Sequence, residues 1–226
     1  MPRIIIIANG EPPTQADLAQ WLRANTTLIC ADGGAKAALR FGLRPHHAIG
    51  DFDSVSDDEL RQLEELGTQL QRHPPAKNET DLELALMFAA HLTQDEAIRE
   101  IIVLGAMGGR IDHELANMML LAMPSLQGCR VVIAHQPNEI MLIDARRSPT
   151  QLVVQGWAGD VVSLIPFGGD AVGIRTERLQ YPLHDEPLLF GPARGVSNVM
   201  LGKSATVQVQ SGMVLCVHTS GGATHF

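Results

Sequence analysis

The chain has one tyrosine, two tryptophans and six phenylalanines in 226 residues, so aromatics make up only 4% of it. Aliphatic side chains must therefore fill the core. Cysteine is scarce too: Cys30, Cys129 and Cys216 are an odd number with no metal-ligand spacing. Cys30 and Cys216 lie in apolar runs and read as buried thiols. A disulfide framework is thus excluded, and a reducing, cytoplasmic setting is expected. Positive charge is in deficit, with 17 Lys and Arg against 25 Asp and Glu and a net charge of −8. That argues against a broad basic face and against nucleic acid as a partner. No membrane partner is expected either. The apolar run in MPRIIIIANG is too short for a signal peptide or a membrane span, and reads as a buried first strand.

Familiar catalytic signatures are also missing. Gly202-Lys203-Ser204 resembles the end of a Walker A loop, but position 197, where the first glycine should stand, is Ser197. No G-x-G-x-x-G follows a strand, and no G-x-S-x-G elbow is present. His46 and His47 have no partners at zinc spacing and read as loop residues.

What is present is a globular balance of 45% hydrophobic and 19% charged residues, enough apolar surface to exclude a disordered chain. The acid is unevenly placed. Residues 1–120 carry 18 Asp and Glu against 10 Lys and Arg, and residues 121–226 carry 7 of each. The apolar pattern changes with the charge. The first half alternates strand-like runs (Arg3–Ala8, Thr27–Ala31, His46–Gly50, Ile101–Leu104, Arg130–Ala134) with helical patterns at Thr14–Ala24, Ala35–Phe41, Ser56–Leu66, Leu82–Leu92 and Ile111–Ala122. Such alternation implies crossover connections and a mostly parallel sheet. After about residue 138 the helical period ends, and short strand-like runs broken by Gly, Pro and Asp predict an antiparallel sandwich or barrel. The expected fold is α/β: an N-terminal mostly parallel α/β sheet domain over 1–136, then a C-terminal antiparallel β-sandwich domain over 137–226. The turn at Gln136–Glu139 is the expected boundary and Arg146–Thr150 a second one, and the tail SGGATHF is expected to fray.

The carboxylates collect just after predicted strands: Asp32 in ADGGA, Asp51 and Asp53 in GDFDS, and Asp112 in GAMGGRIDH. In an open parallel sheet, ligands bind beyond the carboxyl ends of the strands. Asp51 and Asp53, two residues apart on extended chain, are expected to point the same way. Two carboxylates held together repel unless a cation sits between them, and the D-x-D pattern suits Mg²⁺. Asp57 and Asp58 fall in the first turn of a helix and complement its dipole. Ser56 with Glu59, and Thr80 with Glu83, have capping-box spacing. Asp81 opens the second of these helices. Gly105, Gly108 and Gly109 between strand and helix allow backbone N–H groups to approach phosphate, and Arg110 is placed to clamp its oxygens. His113 reads as a surface group at that helix start.

Read in order, ANG, ADGGA, GDFDS, KNETDLELAL, GAMGGRIDH–LAN and RGVSN resemble the thiamine pyrophosphokinase family across nearly the whole chain, from Asn9 to about Val217. The resemblance implies a homodimeric enzyme that transfers pyrophosphate from ATP to thiamine and releases AMP. It implies that Asp51, Asp53 and Asp81 are catalytic and surround Mg²⁺, with Asp32 beside them. It assigns ATP binding to Thr80, Arg110 and Asp112, and to the backbone near Asn9, Gly33 and Gly34. Lys77, Tyr181, Ser197 and Asn198 fall to the binding of substrate, with Tyr181 in LQYPL as the aromatic wall for the pyrimidine. The resemblance also implies a site that straddles the dimer interface. RGVSN is followed here by Val199 and Met200, where many bacterial relatives carry Glu and an aromatic, a departure that bears on the fit around thiamine. Two rival readings remain: a related pyrophosphokinase acting on a pterin alcohol, and a non-catalytic nucleotide or thiamine diphosphate sensor.

Overall fold

In a computed structural model, residues 3–94, 99–146 and 150–221 are described. The end of the tail and the centre of the second candidate boundary, at 147–149, lie outside the described residues. The chain divides into two compact units, Met1–His135 and Gln136–Phe226.

The first unit is an open parallel sheet with helices. Its strands are β1 (Arg3–Ile7), β2 (Thr26–Ala31), β3 (His47–Gly50), β4 (Gln69–Arg72), β5 (Arg99–Leu104) and β6 (Cys129–His135). They lie in the order β6-β5-β1-β2-β3-β4, every pairing parallel. The central strands read as continuous aliphatic runs because both faces are covered. Ile5, Ile6 and Ile7 of β1 and Ile101, Ile102 and Leu104 of β5 are fully buried. Each such side chain contributes roughly 1.5–3 kcal/mol relative to exposure. The pattern-based reading misses β4, since Gln69-Leu70-Gln71-Arg72 is a polar edge strand with no apolar run.

The helices are α1 (Gln15–Trp21), α2 (Gly34–Arg40), α3 (Asp57–Glu65), α4 (Asp81–Leu92) and α5 (Ile111–Leu120). Reciprocal capping boxes start α1, at Thr14 and Asp17, and α3, at Ser56 and Glu59. The box expected at Thr80 and Glu83 is only half made: Thr80 Oγ1 accepts the Glu83 N–H at 3.2 Å, without the return bond. Gly34 opens α2 against the centre of the sheet, where a Cβ would run into the carbonyl oxygen of Ile7.

The second unit carries β7 (Asn138–Asp144), β8 (Thr150–Gln155), β9 (Val161–Pro166), β10 (Ala171–Glu177), β11 (His184–Leu188), β12 (Asn198–Val199), β13 (Ser204–Val209) and β14 (Met213–Thr219). They form two antiparallel layers, β12-β9-β14-β7 and β11-β10-β13-β8. Val162, Leu164, Val214 and Cys216 of one layer pack in one cluster with Ile174, Leu188, Val207 and Val209 of the other, which makes a sandwich. Strands β11 and β12 are not foreseen from the pattern, because HDEPL is polar with a proline and β12 has only two residues. Burial pushes the Cys30 and Cys216 thiols up, that of Cys216 to about 12, so both are inert packing groups.

One buried ion pair ties this unit together. Asp160 and His218 are each 3% exposed. His218 Nε2 lies 2.9 Å from Asp160 Oδ2, and Glu139 stands 3.9 Å from Nδ1. Asp160 also accepts the N–H groups of Trp157 (2.8 Å) and Gly221 (3.1 Å). Burial works to lower the His218 pKa, but the bonds and charges of Glu139 and Asp160 outweigh it and hold it above the ordinary value of 6.5. Burial works to raise Asp160, but the bonds from His218 and the two N–H groups leave it below the usual carboxylate value.

Two predictions follow from this architecture. Gly34→Ala should destabilise the protein by about 2 kcal/mol or more, read as a fall in unfolding midpoint. For His218, a raised folded pKa contributes stability below the unfolded value, lost as pH rises through the folded value. The stability gap between wild type and His218→Gln, measured by urea unfolding, should therefore be widest near pH 6 and shrink as pH climbs above that range. A gap independent of pH over that range would contradict the charged pair.

Candidate active site

In the first unit, β1 is flanked by β2 on one side and β5 on the other. The chain runs outward through β2, β3 and β4, then returns to β5 across β1, so the strand order reverses between β1 and β5. Loops leaving adjacent strands diverge at such a point and open a crevice. A cavity of about 700 Å³ lies there. Its lining includes Asn9, Gly10 and Glu11 after β1, Asp32 after β2, Thr80 and Asp81 at the start of α4, and Gly105, Gly108, Gly109 and Arg110 after β5.

Three carboxylates gather at this edge. Asp32, Asp51 and Asp53 each offer an oxygen within 4.8 Å of the others. The route differs from the extended-chain expectation. β3 ends at Gly50, and Phe52 takes a left-handed backbone at φ 62° with its ring buried to 4% exposure. The turn folds Asp53 back on its neighbour, and its N–H donates to Asp51 Oδ1 at 3.2 Å. Asp32 is also left-handed, at φ 44°. A bulky residue such as Phe52 carries strain in this region, whereas Asp adopts it more readily.

A polar net holds the acids. Asn9 Nδ2 donates to Asp32 Oδ2 and to Ser54 Oγ, both at 3.2 Å, and Ser54 Oγ donates to Asp53 Oδ1 at 3.1 Å. The other oxygen of Asp32, Oδ1, is buried with no protein partner, on a residue only 5% exposed. A buried carboxylate oxygen without a donor is costly unless something else serves it. An orphan oxygen in a group of three carboxylates is a donor set that fits a divalent cation such as Mg²⁺.

Two cations stand at these acids: Lys77, its side chain 11% exposed, lies 2.9 Å from Asp81 Oδ1 and 3.5 Å from Asp51 Oδ2, and Arg72 Nη1 donates to the Asp51 carbonyl at 3.2 Å. Burial works to lower the Lys77 pKa, but the bond and charge of Asp81 and the charge of Asp51 hold it above its usual value. Burial raises the Asp81 pKa; Lys77 opposes the rise, while Asp32 and Asp51 add to it. The resemblance implies Asp51, Asp53 and Asp81 around the metal, with Asp32 beside them; Asp32, Asp51 and Asp53 lie together here, and Lys77 links Asp81 to Asp51.

The glycine loop is shaped from α5. Glu114 Oε1 accepts the Gly108 N–H at 2.8 Å, and Asn117 Nδ2 donates to the Ala106 carbonyl at 2.7 Å. The Gly108 N–H expected to face phosphate is thus already committed. Arg110, exposed on the cavity wall, pairs with Asp112 at 2.5 Å. That bond holds the Asp112 carboxyl below its usual value. Gly33 and Gly34 are absent from the cavity lining; the missing Cβ atoms make room for Asn9 and for the β1 backbone. Ser54, Glu11, Glu114 and Asn117 were not assigned from sequence. The only signal for Asn117 was the LAN that follows GGRIDH, that for Ser54 its place at the end of GDFDS, and nothing in the pattern marks Glu11.

In the second unit, Tyr181 is 63% exposed. Asn198 is 9% exposed and bonded to the Tyr181 backbone. Ser197 is exposed at φ 62°, its N–H on Ser163 Oγ at 3.0 Å.

The class is defined first by these features: a ligand-binding α/β unit with an acidic crevice at its switch point, followed by a β-sandwich. The comparisons then narrow it. The family model for the thiamin pyrophosphokinase catalytic domain matches residues 18–133, and that for the thiamin pyrophosphokinase vitamin B1 binding domain matches 145–214. Thiamine pyrophosphokinase of Bacillus subtilis is 27% identical over 97% of this chain and 100% of its own. Thiamine pyrophosphokinase 1 of Arabidopsis thaliana is 27% identical over 93% and 84%. The crystal structure of the Bacillus subtilis protein superposes with a TM-score of 0.83 at 26% identity, covering 97% of this chain and 99% of that one. The chain belongs to the thiamin pyrophosphokinase family and is an enzyme of it.

Loss of one ligand should weaken the cation site by at least about tenfold. Mn²⁺ titration followed by electron paramagnetic resonance should give that result for Asp32→Asn and Asp53→Asn. Unchanged affinity in both would remove the three-carboxylate site.

Proposed function

We propose that the chain is a thiamine diphosphokinase that transfers the pyrophosphate of ATP to the hydroxyl of thiamine and releases AMP. The observation that carries this reading is the group of Asp32, Asp51 and Asp53 with its orphan oxygen, beside a cavity with room for a nucleotide. The names of the relatives above support the acceptor. The hydroxyl oxygen of thiamine attacks the β-phosphorus, the bond from that phosphorus to the α–β bridging oxygen breaks, and AMP leaves with the electron pair.

Asp32, Asp51 and Asp53 hold Mg²⁺, which when bound supplies charge neutralisation to the phosphate oxygens. Arg110 adds a donor fork on the cavity wall, and Thr80 with the loop at Gly109 bounds the phosphate path. Asp81, fixed by Lys77, accepts a hydrogen bond from the thiamine hydroxyl and orients it, and the hydroxyl proton leaves toward this carboxylate. Asn9 keeps Asp32 turned toward the cluster. In the second unit, the exposed face of Tyr181 suits the flat pyrimidine ring of thiamine, which can stack on it. The homodimer and the interface-straddling site belong to this reading and rest on the family resemblance.

The test is AMP release with ATP, Mg²⁺ and thiamine, with thiamine diphosphate identified by mass. AMP should appear only when all three are present, and Asp53→Asn and Asp81→Asn should each cut turnover by about a hundredfold or more in folded protein. AMP release with a pterin alcohol but not with thiamine would move the acceptor, and ligand binding with no AMP at all would leave a sensor. Light scattering at low micromolar protein should give twice the mass of one chain.

A further inference from the structure

Tyr181 is the only tyrosine in the chain and lies outside any strand, between β10 and β11. The residues on either side are anchored. Leu179 (2% exposed) bridges to Met200, and Leu183 (8%) donates its N–H to Thr176 Oγ1 at 2.8 Å. Both leucines belong to the sandwich core. Pro182 biases the residue before it toward extended backbone. Tyr181 is thus carried outward on a short span pinned at both ends, yet its ring touches little; its hydroxyl takes one bond, from Gln180 Nε2 at 3.3 Å.

The backbone under that ring is held by a buried side chain. Asn198 Oδ1 accepts the N–H of Tyr181 at 3.0 Å and the N–H of Val199 at 2.9 Å. Asn198 Nδ2 donates to the Tyr181 carbonyl at 2.6 Å. These partners define the amide orientation, because a backbone N–H only donates and a carbonyl only accepts. Both lone pairs of Oδ1 are filled, and one amide hydrogen remains on a residue 9% exposed. Asn198 therefore closes a two-bond ring on the peptide of one residue, as a neighbouring strand would.

We propose that Asn198 is a positioning residue, which fixes the Tyr181 backbone and so sets the ring for its ligand, and does not itself bind thiamine. The identity of that ligand rests on the proposed function; the clamp does not. The isosteric change Asn198→Asp separates the two roles. It keeps both bonds that Oδ1 accepts and turns the donor facing the Tyr181 carbonyl into a charged acceptor. A direct contact with cationic thiamine would gain from that charge, whereas a clamp would be broken by it.

Protein grown with 3-fluorotyrosine carries one fluorine resonance, since there is one tyrosine. Without any ligand, Asn198→Asp should shift or broaden that resonance while the thermal unfolding curve stays cooperative. The KM for thiamine should rise about tenfold, with kcat changed less than about threefold. On a Tyr181→Ala background the same change should add less than about twofold, because a residue acting through the ring has nothing left to position. An unmoved resonance, a lowered KM or an effect that multiplies fully with Tyr181→Ala would overturn the clamp. If Asn198→Asp does not fold, Asn198→Ser, uncharged and too short to bridge both groups, is read by the same criteria. Wild-type protein that releases no AMP with thiamine would overturn the proposed function, and the ligand-free fluorine spectrum would still decide the clamp.

Discussion

Mutual repulsion of carboxylates is the constraint around which the first unit is arranged. Asp32, Asp51 and Asp53 present oxygens within 4.8 Å of one another, and Asp81 is joined to Asp51 through Lys77. Left alone, charges this close would spread apart or take up protons. The fold opposes this with an ammonium group, the Asn9 and Ser54 bonds, and two left-handed residues that hold the acids in place. The repulsion is thus held in the site, where a cation would relieve it.

The two units divide the chemistry by kind. The parallel sheet brings the ends of several strands to one edge, so charge can be concentrated from residues far apart in sequence. The sandwich instead has many turns, and offers an exposed ring on a pinned span. Its own integrity depends on a different buried charge, the His218–Asp160 pair, which joins the last strand to the turn carrying Trp157.

How much of this was legible in the sequence depended on which physical signal each residue carries. Strands buried on both faces, such as Arg3–Ile7 and Arg99–Leu104, announce themselves as aliphatic runs. Edge strands such as Gln69–Arg72 and His184–Leu188 are polar because one side meets water, and periodicity does not see them. The acids at strand ends were legible because their positions follow from topology. The pairing of Asp51 with Asp53 was legible too, but its route was not: it runs through the left-handed turn at Phe52 rather than through extended chain. Glycine beside a strand end, as at Gly33 and Gly34, signals close approach without saying to what. Here the neighbours are the Asn9 side chain and the β1 backbone. Ser54 acts through two hydrogen bonds and Glu114 through one, and isolated bonds leave no periodic pattern.

The strand order also governs when the crevice can come into being. β1 leaves the ribosome first, but one of its two neighbours is β5, almost a hundred residues later. Until β5 arrives, one edge of β1 stays open and the glycine loop that lines the cavity does not exist. The acid cluster, drawn from residues 32–53, is by then already synthesised, and so is Lys77. A growing chain therefore has its internal counter-ion before it has the other wall of its cavity. Long-range parallel pairings of this kind slow folding and leave strand edges exposed to wrong partners in the interval. In a nascent chain, Lys77 can shield the charge of the half-built sheet before any cation or nucleotide has a place to bind.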